Sequence, residues 1–170
     1  MDRNGPLRAS DEGRTEAVAA LRERFGEQLS TSVSVREQHG GGEGWRDRAS
    51  PDAVLFARTT QDVADAVAIC SAARLAVTAF GAGTSLEGHL QAPHGGLSID
   101  LTRMDAVIEL NVEDLDCRVQ AGMTREALNT ELRATGLFFP LDPGANATIG
   151  GMAATRASGT NAVRYGTMRE

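Results

Sequence analysis

Hydrophobic residues along the chain alternate between helical and strand-like spacing, and the first periodic segment predicts a helix. Val18, Leu21 and Phe25 stand three and four residues apart, on one helical face, and Gly26 can end that helix in a left-handed conformation. The polar residues before it, the first dozen of the chain, are expected to form a frayed tail. The glycine-rich run 39–44 that follows predicts a surface loop.

A strand, a helix and a second strand are predicted after residue 50. Val54–Ala57 and Ala76–Phe80 are short apolar runs of the length of buried strands. The helix between them can be capped by Thr59 or Thr60, and its buried face is expected to hold Val63, Val67 and Cys70. This succession is typical of a βαβ unit with two parallel strands and a right-handed crossover.

Three further strands are predicted, over Leu97–Leu101, Ala106–Leu110 and Asp116–Ala121. In the last of them Cys117 alternates with Val119 and Ala121 on one side. The alternation therefore predicts that Cys117 faces inward.

A second helix and a closing strand complete the predicted elements. Leu128 and Leu132 stand one helical turn apart, Thr124 can cap the start of their helix, and Gly136 can end it. A strand over Leu137–Pro140 would then complete a second strand–helix–strand passage. The residues that follow are nearly all small, so we expect them not to fill a core by themselves.

Composition and charge exclude several classes of function. The chain of 170 residues carries 17 Lys and Arg against 23 Asp and Glu, so it lacks the basic stripe of a nucleic-acid-binding protein. The sequence contains neither a membrane-length apolar window nor an export signal. Cys70 and Cys117 are too few for a disulfide framework, and as reduced thiols they predict a cytoplasmic protein. His39 and His94 are expected to be solvated, whereas His89 could lie near a ligand.

Glycine is frequent, at 19 residues, and the first concentration directly follows a predicted strand. In the run Phe80–Gly88, the backbone can approach a ligand closely, and its N–H groups and the hydroxyls of Thr84 and Ser85 can bind phosphate oxygens. The run is not a Rossmann fingerprint, because the third glycine counted from Gly81 would fall at Leu86. A turn that only reverses the chain would have the same composition.

The second concentration of small residues covers Pro143–Gly166. Small side chains let an extended ligand lie against the backbone, and hydrogen-bonding partners are available at Thr148, Thr155, Ser158 and Asn161. Two such segments facing one another would clasp a dinucleotide along its length. The alternative is tight helix packing, which also requires small residues.

Four motifs occur in order after residue 50. Their sequences are PDAV from Pro51, FGAGTSLEG from Phe80, FPLDPG from Phe139, and GGMAAT from Gly150 followed by ASGTNAVRYG. Together they resemble the FAD-binding domain of the vanillyl-alcohol-oxidase-type (PCMH-type) flavoproteins, and within it the branch of FAD-dependent D-lactate dehydrogenase and the glycolate oxidase subunit. The resemblance implies an α+β fold, in which a small parallel βαβ subdomain precedes the start of a second α/β subdomain.

The same resemblance implies the domain organisation and the cofactor. Residues 1–50 would form an N-terminal helix and loop, and residues 51–170 an FAD-binding domain truncated at its C-terminal side, so that the chain is an N-terminal fragment. Relatives that attach FAD covalently use a histidine where this chain has Thr84, which predicts non-covalent FAD. Arg156 departs from the family, whose members carry a small residue or Asn there.

The loop Gly81–Ser85 would hold the FAD pyrophosphate, and Pro143–Gly159 would line the track from adenine to flavin. The cofactor-binding residues implied in this way are Phe80, Gly81, Ala82, Gly83, Thr84, Ser85, Gly88, Pro143, Gly144, Thr148, Gly150, Gly151, Ala154, Thr155, Ser158, Gly159 and, near the flavin end, Gly166.

The implied function is oxidation of a small 2-hydroxy acid such as D-lactate or glycolate, with electrons passed from the flavin to a carrier such as a cytochrome or quinone. In the relatives a later substrate domain supplies the catalytic and metal-ligating groups, so this chain offers no catalytic residue and no metal ligand. Two alternatives stay open. One is a non-catalytic flavin-binding module that works with a separate partner chain, and the other is an inactive gene fragment.

Overall fold

The computed structural model describes residues 9–42 and 48–169, which divide into two compact units. The first unit holds the described residues up to Phe80 together with Ser85–Asp100, and the second holds Gly81–Thr84 together with residues 101–169. The start of the glycine loop therefore belongs to the second unit, although the strand before it belongs to the first. In the described part of the chain no helix is long and apolar enough to cross a membrane.

A four-stranded sheet forms the centre of the first unit. Its strands are β1 (Leu29–Ser30), β2 (Ala53–Phe56), β3 (Val77–Phe80) and β4 (Leu97–Asp100), in the spatial order β1–β2–β4–β3. β1 is antiparallel to β2, whereas β2 and β3 are both parallel to β4. The predicted strand–helix–strand unit is confirmed, but β4 lies between its two strands. This position suits β4, because all four of its residues are buried and it has hydrogen-bonding neighbours on both sides.

Three helices belong to this unit: α1 (Asp11–Phe25), α2 (Val33–Gln38) and α3 (Thr60–Ala72), with a short 3-10 turn at Gly26–Gln28. α1 begins at Asp11 because Ser10 Oγ accepts the N–H of Gly13 at 3.1 Å. The predicted tail is therefore wrong for its last two residues, and residues 1–8 lie outside the described residues. Gly26 ends α1 as predicted and has a positive φ of 51°, but its ψ of −120° lies outside the left-handed helical conformation that was predicted.

A reciprocal pair of hydrogen bonds starts α3. Thr59 Oγ1 accepts the N–H of Asp62 at 3.0 Å, and the Asp62 carboxylate accepts the N–H of Thr59 at 3.1 Å, so Thr59 is the cap. The predicted inner face is correct at the buried Cys70 and wrong at the exposed Val67. Ala66, which stands four residues before Cys70 on the same helical face, is buried in its place.

The second unit combines a hairpin with three helices. β5 (Val107–Asn111) and β6 (Asp116–Val119) pair antiparallel, and the helices are α4 (Arg125–Leu132), α5 (Ile149–Thr155) and α6 (Ala162–Tyr165), with a 3-10 turn at Arg133–Thr135. The α4 helix is capped by Thr124 as predicted, and Gly136, predicted to end it, instead ends the 3-10 turn that follows α4, in the left-handed conformation at a φ of 77°. A hydrophobic core cluster of the second unit consists of the buried Met123, Leu128 and Leu132. The partly buried residues that pack against it are Val107, Leu110, Val119, Phe139 and Ile149.

Two predictions for this unit are wrong. Cys117 is exposed, although its paired residue on the other strand, Leu110, packs against the small core of this unit. Residues 137–140 form no strand. The side chain of Asn129 instead binds the backbone of Phe139, accepting its N–H at 2.6 Å and donating to its carbonyl at 3.3 Å. These bonds replace the strand pairing that the apolar run suggested.

The two thiols are expected to differ sharply in reactivity. Cys70 is buried, and burial raises the pKa of its thiol to about 11, whereas Cys117 is exposed. Since the thiolate is the reactive form, a maleimide or iodoacetamide should modify Cys117 in the folded chain at pH 8 and leave Cys70 intact. Peptide mass spectrometry would locate the label, and denaturant should make both residues reactive. Labelling of Cys70 at the same rate as Cys117 in the folded chain would contradict this packing.

Candidate functional site

The glycine loop after β3 makes a close approach within the second unit. Gly81 lies directly against the Thr148 side chain, so that a Cβ added at Gly81 would overlap Thr148 Oγ1 and stand 3.5 Å from Thr148 Cβ. Thr148 is 2% exposed, and its Oγ1 accepts a hydrogen bond from the Gly151 N–H. A side chain at Gly81 would therefore displace the loop or break this bond, and the contact joins the first predicted binding segment to the second.

Thr148 also determines where α5 begins. Its Oγ1 accepts the N–H of Gly151 at 3.2 Å, which caps the helix. Because the same hydroxyl faces Gly81 and Gly151, rotating the Thr148 side chain away from one contact breaks the other. The turn that carries Gly151 and the start of the glycine loop are thus held in one arrangement.

Tight packing accounts for the glycine at position 150. A Cβ there would stand 2.8 Å from both the Cβ and the carbonyl oxygen of Ala121, and the Gly150 N–H donates to that oxygen at 2.9 Å. The packing alternative considered for the small-residue segment therefore applies at Gly150.

Asp142 ties the two ends of the small-residue segment together. Its carboxylate accepts the Thr160 hydroxyl at 2.5 Å and the Asn161 N–H at 2.8 Å, and these bonds, the Thr160 bond foremost, lower the pKa of Asp142. Gly159 packs so closely on Asp142 that a Cβ would overlap the Asp142 carbonyl oxygen. Sequence reasoning missed Asp142 as a site residue, although it directly precedes the predicted Pro143.

The other predicted residues of the first segment are placed as follows. Phe80 is the half-buried last residue of β3, and Gly83 and Gly88 have positive φ angles of 72° and 76°. Ser85 belongs to the first unit, where its Oγ lies 2.8 Å from Nδ1 of the exposed His89. The remaining loop residues, Ala82 and Thr84, are exposed.

In the second segment, Ala154 and Thr155 lie on the exposed last turn of α5, a helix that the sequence pattern did not predict. Thr155 donates its hydroxyl to the Gly151 carbonyl at 2.9 Å. Pro143, Gly144 and Ser158 lie in irregular backbone, and Gly166 ends α6 with a φ of 88°. Arg156 caps the C-terminus of α5 in the left-handed region, at a φ of 52°. Glycine and asparagine adopt that conformation at lower cost, which accounts for the small residue or Asn that the resemblance led us to expect there; nothing in the structure explains the arginine.

His39 corrects a prediction. It is buried, at 5% exposure, and its Nε2 lies 2.8 Å from Oδ2 of Asp100, itself 4% exposed. The predicted solvation of His39 is therefore wrong, as is the surface position of its loop at this residue. No spacing signal could reveal a pair whose members stand 61 positions apart. Within residues 9–42 and 48–169, no group of three or more His, Cys, Asp or Glu side chains could hold a metal ion.

Comparisons with known proteins concern most of the chain. The family described as FAD binding domain matches residues 51–170. The chain is 49% identical over 154 residues to a Danio rerio protein named Probable D-lactate dehydrogenase, mitochondrial, covering 90% of this chain and 31% of that protein. It is 42% identical over 157 residues to D-lactate dehydrogenase (cytochrome), mitochondrial, of Arabidopsis thaliana, covering 91% of this chain and 28% of that protein. The chain thus spans about three tenths of the length of these relatives.

A further curated relative and two solved structures extend the comparison. The chain is 40% identical over 122 residues to D-2-hydroxyglutarate dehydrogenase of Escherichia coli (strain K12), covering 68% of this chain and 12% of that protein. An alkyldihydroxyacetonephosphate synthase structure superposes with a TM-score of 0.84 at 24% identity, over 91% of this chain and 34% of that one. A variant of Physcomitrella patens BBE-like 1 superposes with a TM-score of 0.76 at 20% identity, over 89% of this chain and 33% of that one. At these identities the structural likeness concerns the fold.

Proposed function

Since the chain belongs to the FAD binding domain family, we propose that it is the flavin-binding part of an enzyme that oxidises a 2-hydroxy acid. Membership rests on the family match over residues 51–170, and the cofactor is FAD. The shared fold with the two flavoprotein-type structures confirms the predicted α+β, PCMH-type architecture. The residues that hold FAD, the substrate and the electron acceptor are proposals argued below.

The observation that carries the proposal is the contact of Gly81 with Thr148. A side chain at Gly81 would overlap Thr148 Oγ1, so the loop presents bare backbone at the place where it leaves β3. Successive backbone N–H groups in such a loop form a concave site for anions. We assign the FAD pyrophosphate to Gly81–Thr84, with the exposed hydroxyl of Thr84 as a further hydrogen-bond donor.

The rest of the dinucleotide is assigned to the segment from Pro143 to Gly159. Its exposed residues include the small or hydroxyl-bearing Ala154, Thr155 and Ser158, together with Arg156 and Asn146. Small side chains leave room for an extended, flat molecule on the backbone. The Asp142 carboxylate, next to this segment, accepts hydrogen bonds from Thr160 and Asn161 and so ties the two ends of the small-residue segment together. Gly144 leaves open space, because a Cβ there would meet nothing within 4 Å.

Bound FAD supplies an acceptor for the hydride that leaves the substrate α-carbon. The residues of this chain hold and orient the cofactor, which is the protein's usual contribution in cofactor enzymes. A 2-hydroxy acid substrate such as D-lactate is supported by the names of the relatives, D-lactate and D-2-hydroxyglutarate dehydrogenases. We propose a cytochrome or quinone as electron acceptor, and we propose that substrate-binding groups come from sequence outside this domain.

A reducing compartment, the cytoplasm, is proposed from the state of the cysteines. Cys70 and Cys117 are both free thiols, as expected where glutathione keeps thiols reduced. The relatives from Danio rerio and Arabidopsis thaliana are named as mitochondrial, so cell fractionation with cytosolic and mitochondrial markers is the test. Recovery with mitochondria alone would contradict the cytoplasmic assignment.

Flavin retention tests the proposed function directly. The purified chain, incubated with FAD and freed of excess ligand, is expected to keep absorbance in the flavin bands and to release the flavin on denaturation, because Thr84 offers no histidine for covalent attachment. ADP should compete with FAD and riboflavin should not, since the proposed loop binds the pyrophosphate. A colourless chain would contradict flavin binding by these residues. Retention of flavin that ADP does not displace would contradict the assignment of the loop.

A further inference from the structure

The buried pair of His39 and Asp100 lies at one edge of the first unit's sheet. Phe56, Phe80 and Asp100 are the last residues of β2, β3 and β4, and Asp100 is paired in register with both phenylalanines. His39 lies over this edge, because it follows α2 and its Nδ1 lies 2.8 Å from the Val35 carbonyl oxygen. The imidazole thus meets the ends of three parallel strands.

Both hydrogen bonds of the imidazole form together only when both ring nitrogens carry a proton. The Val35 carbonyl and the Asp100 carboxylate can only accept, and a neutral imidazole has one N–H, so it can donate to one of them and presents a lone pair to the other. Nε2 lies 2.8 Å from a carboxylate oxygen of Asp100, which is too close for two acceptors without a proton between them. The pair is therefore complete only when it holds this extra proton.

The electrostatic surroundings favour the proton on His39. Burial is the largest influence and acts against the charged imidazole, but the hydrogen bonds to Asp100 and Val35 and the charge of Asp100 outweigh it, so the pKa of His39 lies above its ordinary value. β2 and β3 present the uncharged rings of Phe56 and Phe80. On α2, Arg36 donates to the Pro51 carbonyl at 2.6 Å, and Glu37 is exposed; neither is among the groups that shift the pKa of His39.

The imidazole also contacts the residue that precedes the glycine loop. Its ring lies 4.2 Å from the ring of Phe80, centroid to centroid, and meets the Phe56 ring edge-on at 5.7 Å. A cationic ring over an aromatic face is attracted by the quadrupole of that face. Phe80 is joined by its peptide bond to Gly81, the first residue of the loop.

We propose that the protonated His39–Asp100 pair is a positioning device for the FAD loop, which holds Phe80 and makes FAD affinity fall as pH rises. This inference rests on the proposed function, in which the loop from Gly81 binds the pyrophosphate. Loss of the proton leaves one ring nitrogen without a hydrogen opposite an acceptor, either Nε2 against the carboxylate or Nδ1 against the Val35 carbonyl, so the imidazole shifts from its position beside Phe80. Because the folded pKa of His39 is raised, the contribution is complete below about pH 6.5, the ordinary value, and is lost as pH rises through the folded value.

Two pH titrations of the chain test this device. The first follows the His39 ring and the Gly81 amide of the FAD-free chain by NMR between about pH 5.5 and pH 9, and both signals should change with one midpoint above the ordinary pKa of histidine. The second measures the FAD dissociation constant over the same range, where we expect affinity to weaken by about fivefold or more from the acidic to the alkaline end. His39→Gln should remove both pH dependences, whereas His94→Gln, at an exposed histidine, should leave them unchanged.

The outcomes separate this proposal from the proposed function. Two results would overturn the positioning role and leave the flavin assignment standing. One is an FAD dissociation constant that is the same at every pH, and the other is a Gly81 amide NMR signal that does not change as His39 titrates. A pH dependence that survives in His39→Gln would overturn it too. Failure to bind FAD at any pH would overturn both.

Discussion

Replacing Gly81 with alanine is expected to weaken FAD binding by about 5- to 150-fold, the equivalent of an overpacking cost of about 1–3 kcal/mol. The added Cβ would overlap Thr148 Oγ1, and that hydroxyl is fixed by its hydrogen bond to the Gly151 N–H. Either the loop withdraws from the helix or the cap of α5 breaks. Both responses displace the backbone to which the pyrophosphate is assigned, and fluorescence titration with FAD would measure the loss.

Controls isolate the contact from a general effect of the extra methyl group. Gly13→Ala, in α1, adds a Cβ at an ordinary contact distance of 3.4 Å from Ser10 Oγ and should leave FAD affinity unchanged. Thr148→Ala removes the obstructing hydroxyl, so the Gly81→Ala substitution should cost less in that background than in the wild type. Wild-type affinity in Gly81→Ala, or equal losses in both backgrounds, would refute the proposed role of this contact.

The sequence predicts correctly those helix ends that are stabilised by residues a few positions away. Thr59 and Thr124 cap helices through residues three positions away, and Gly26 ends α1 and Gly136 the 3-10 turn after α4 through their own backbone angles. Such bonds depend on neighbours that a short window contains.

Contacts between distant residues escaped the same reasoning. β4 lies between β2 and β3, and all four of its residues are buried. Its apolar run would look the same in the sequence if β4 lay at the edge of the sheet, so the sequence does not predict the strand order. The strand expected over 137–140 failed because Asn129 binds the Phe139 backbone, a side-chain interaction that hydrophobic pattern does not register.

In the candidate site, too, the sequence predicts the local features and misses the contacts between distant residues. Glycine content located the loop from Gly81, since bare backbone is a local property, but the residue that it contacts, Thr148, stands 67 positions later in the chain. His39 was placed in solvent because its neighbours are glycines, whereas its burial depends on Asp100 and Phe80. Resemblance of ordered motifs, rather than any single spacing, connected the two segments to one cofactor.

The second unit is expected to be the more sensitive of the two to loss of core volume, because Leu128 packs in a cluster with only two other buried members, Met123 and Leu132. Leu128→Ala should lower the free energy of unfolding by about 2–5 kcal/mol, the range for truncating a buried leucine. Urea denaturation would measure this change. Leu115→Ala, at a side chain that is 74% exposed, is the matched control and should alter stability by no more than about 0.5 kcal/mol.

Loss of core volume at Leu128 is also expected to loosen the loop to which FAD binding is assigned. Gly81–Thr84 and Thr148 belong to the same compact unit as Leu128, so hydrogen exchange in Leu128→Ala should increase in that loop and in α5 more than in β2 and β4. FAD binds the folded unit, and saturating cofactor should therefore restore part of the lost stability. An unchanged unfolding free energy, or faster exchange spread evenly over both units, would contradict a separate core in the unit that holds the proposed FAD loop.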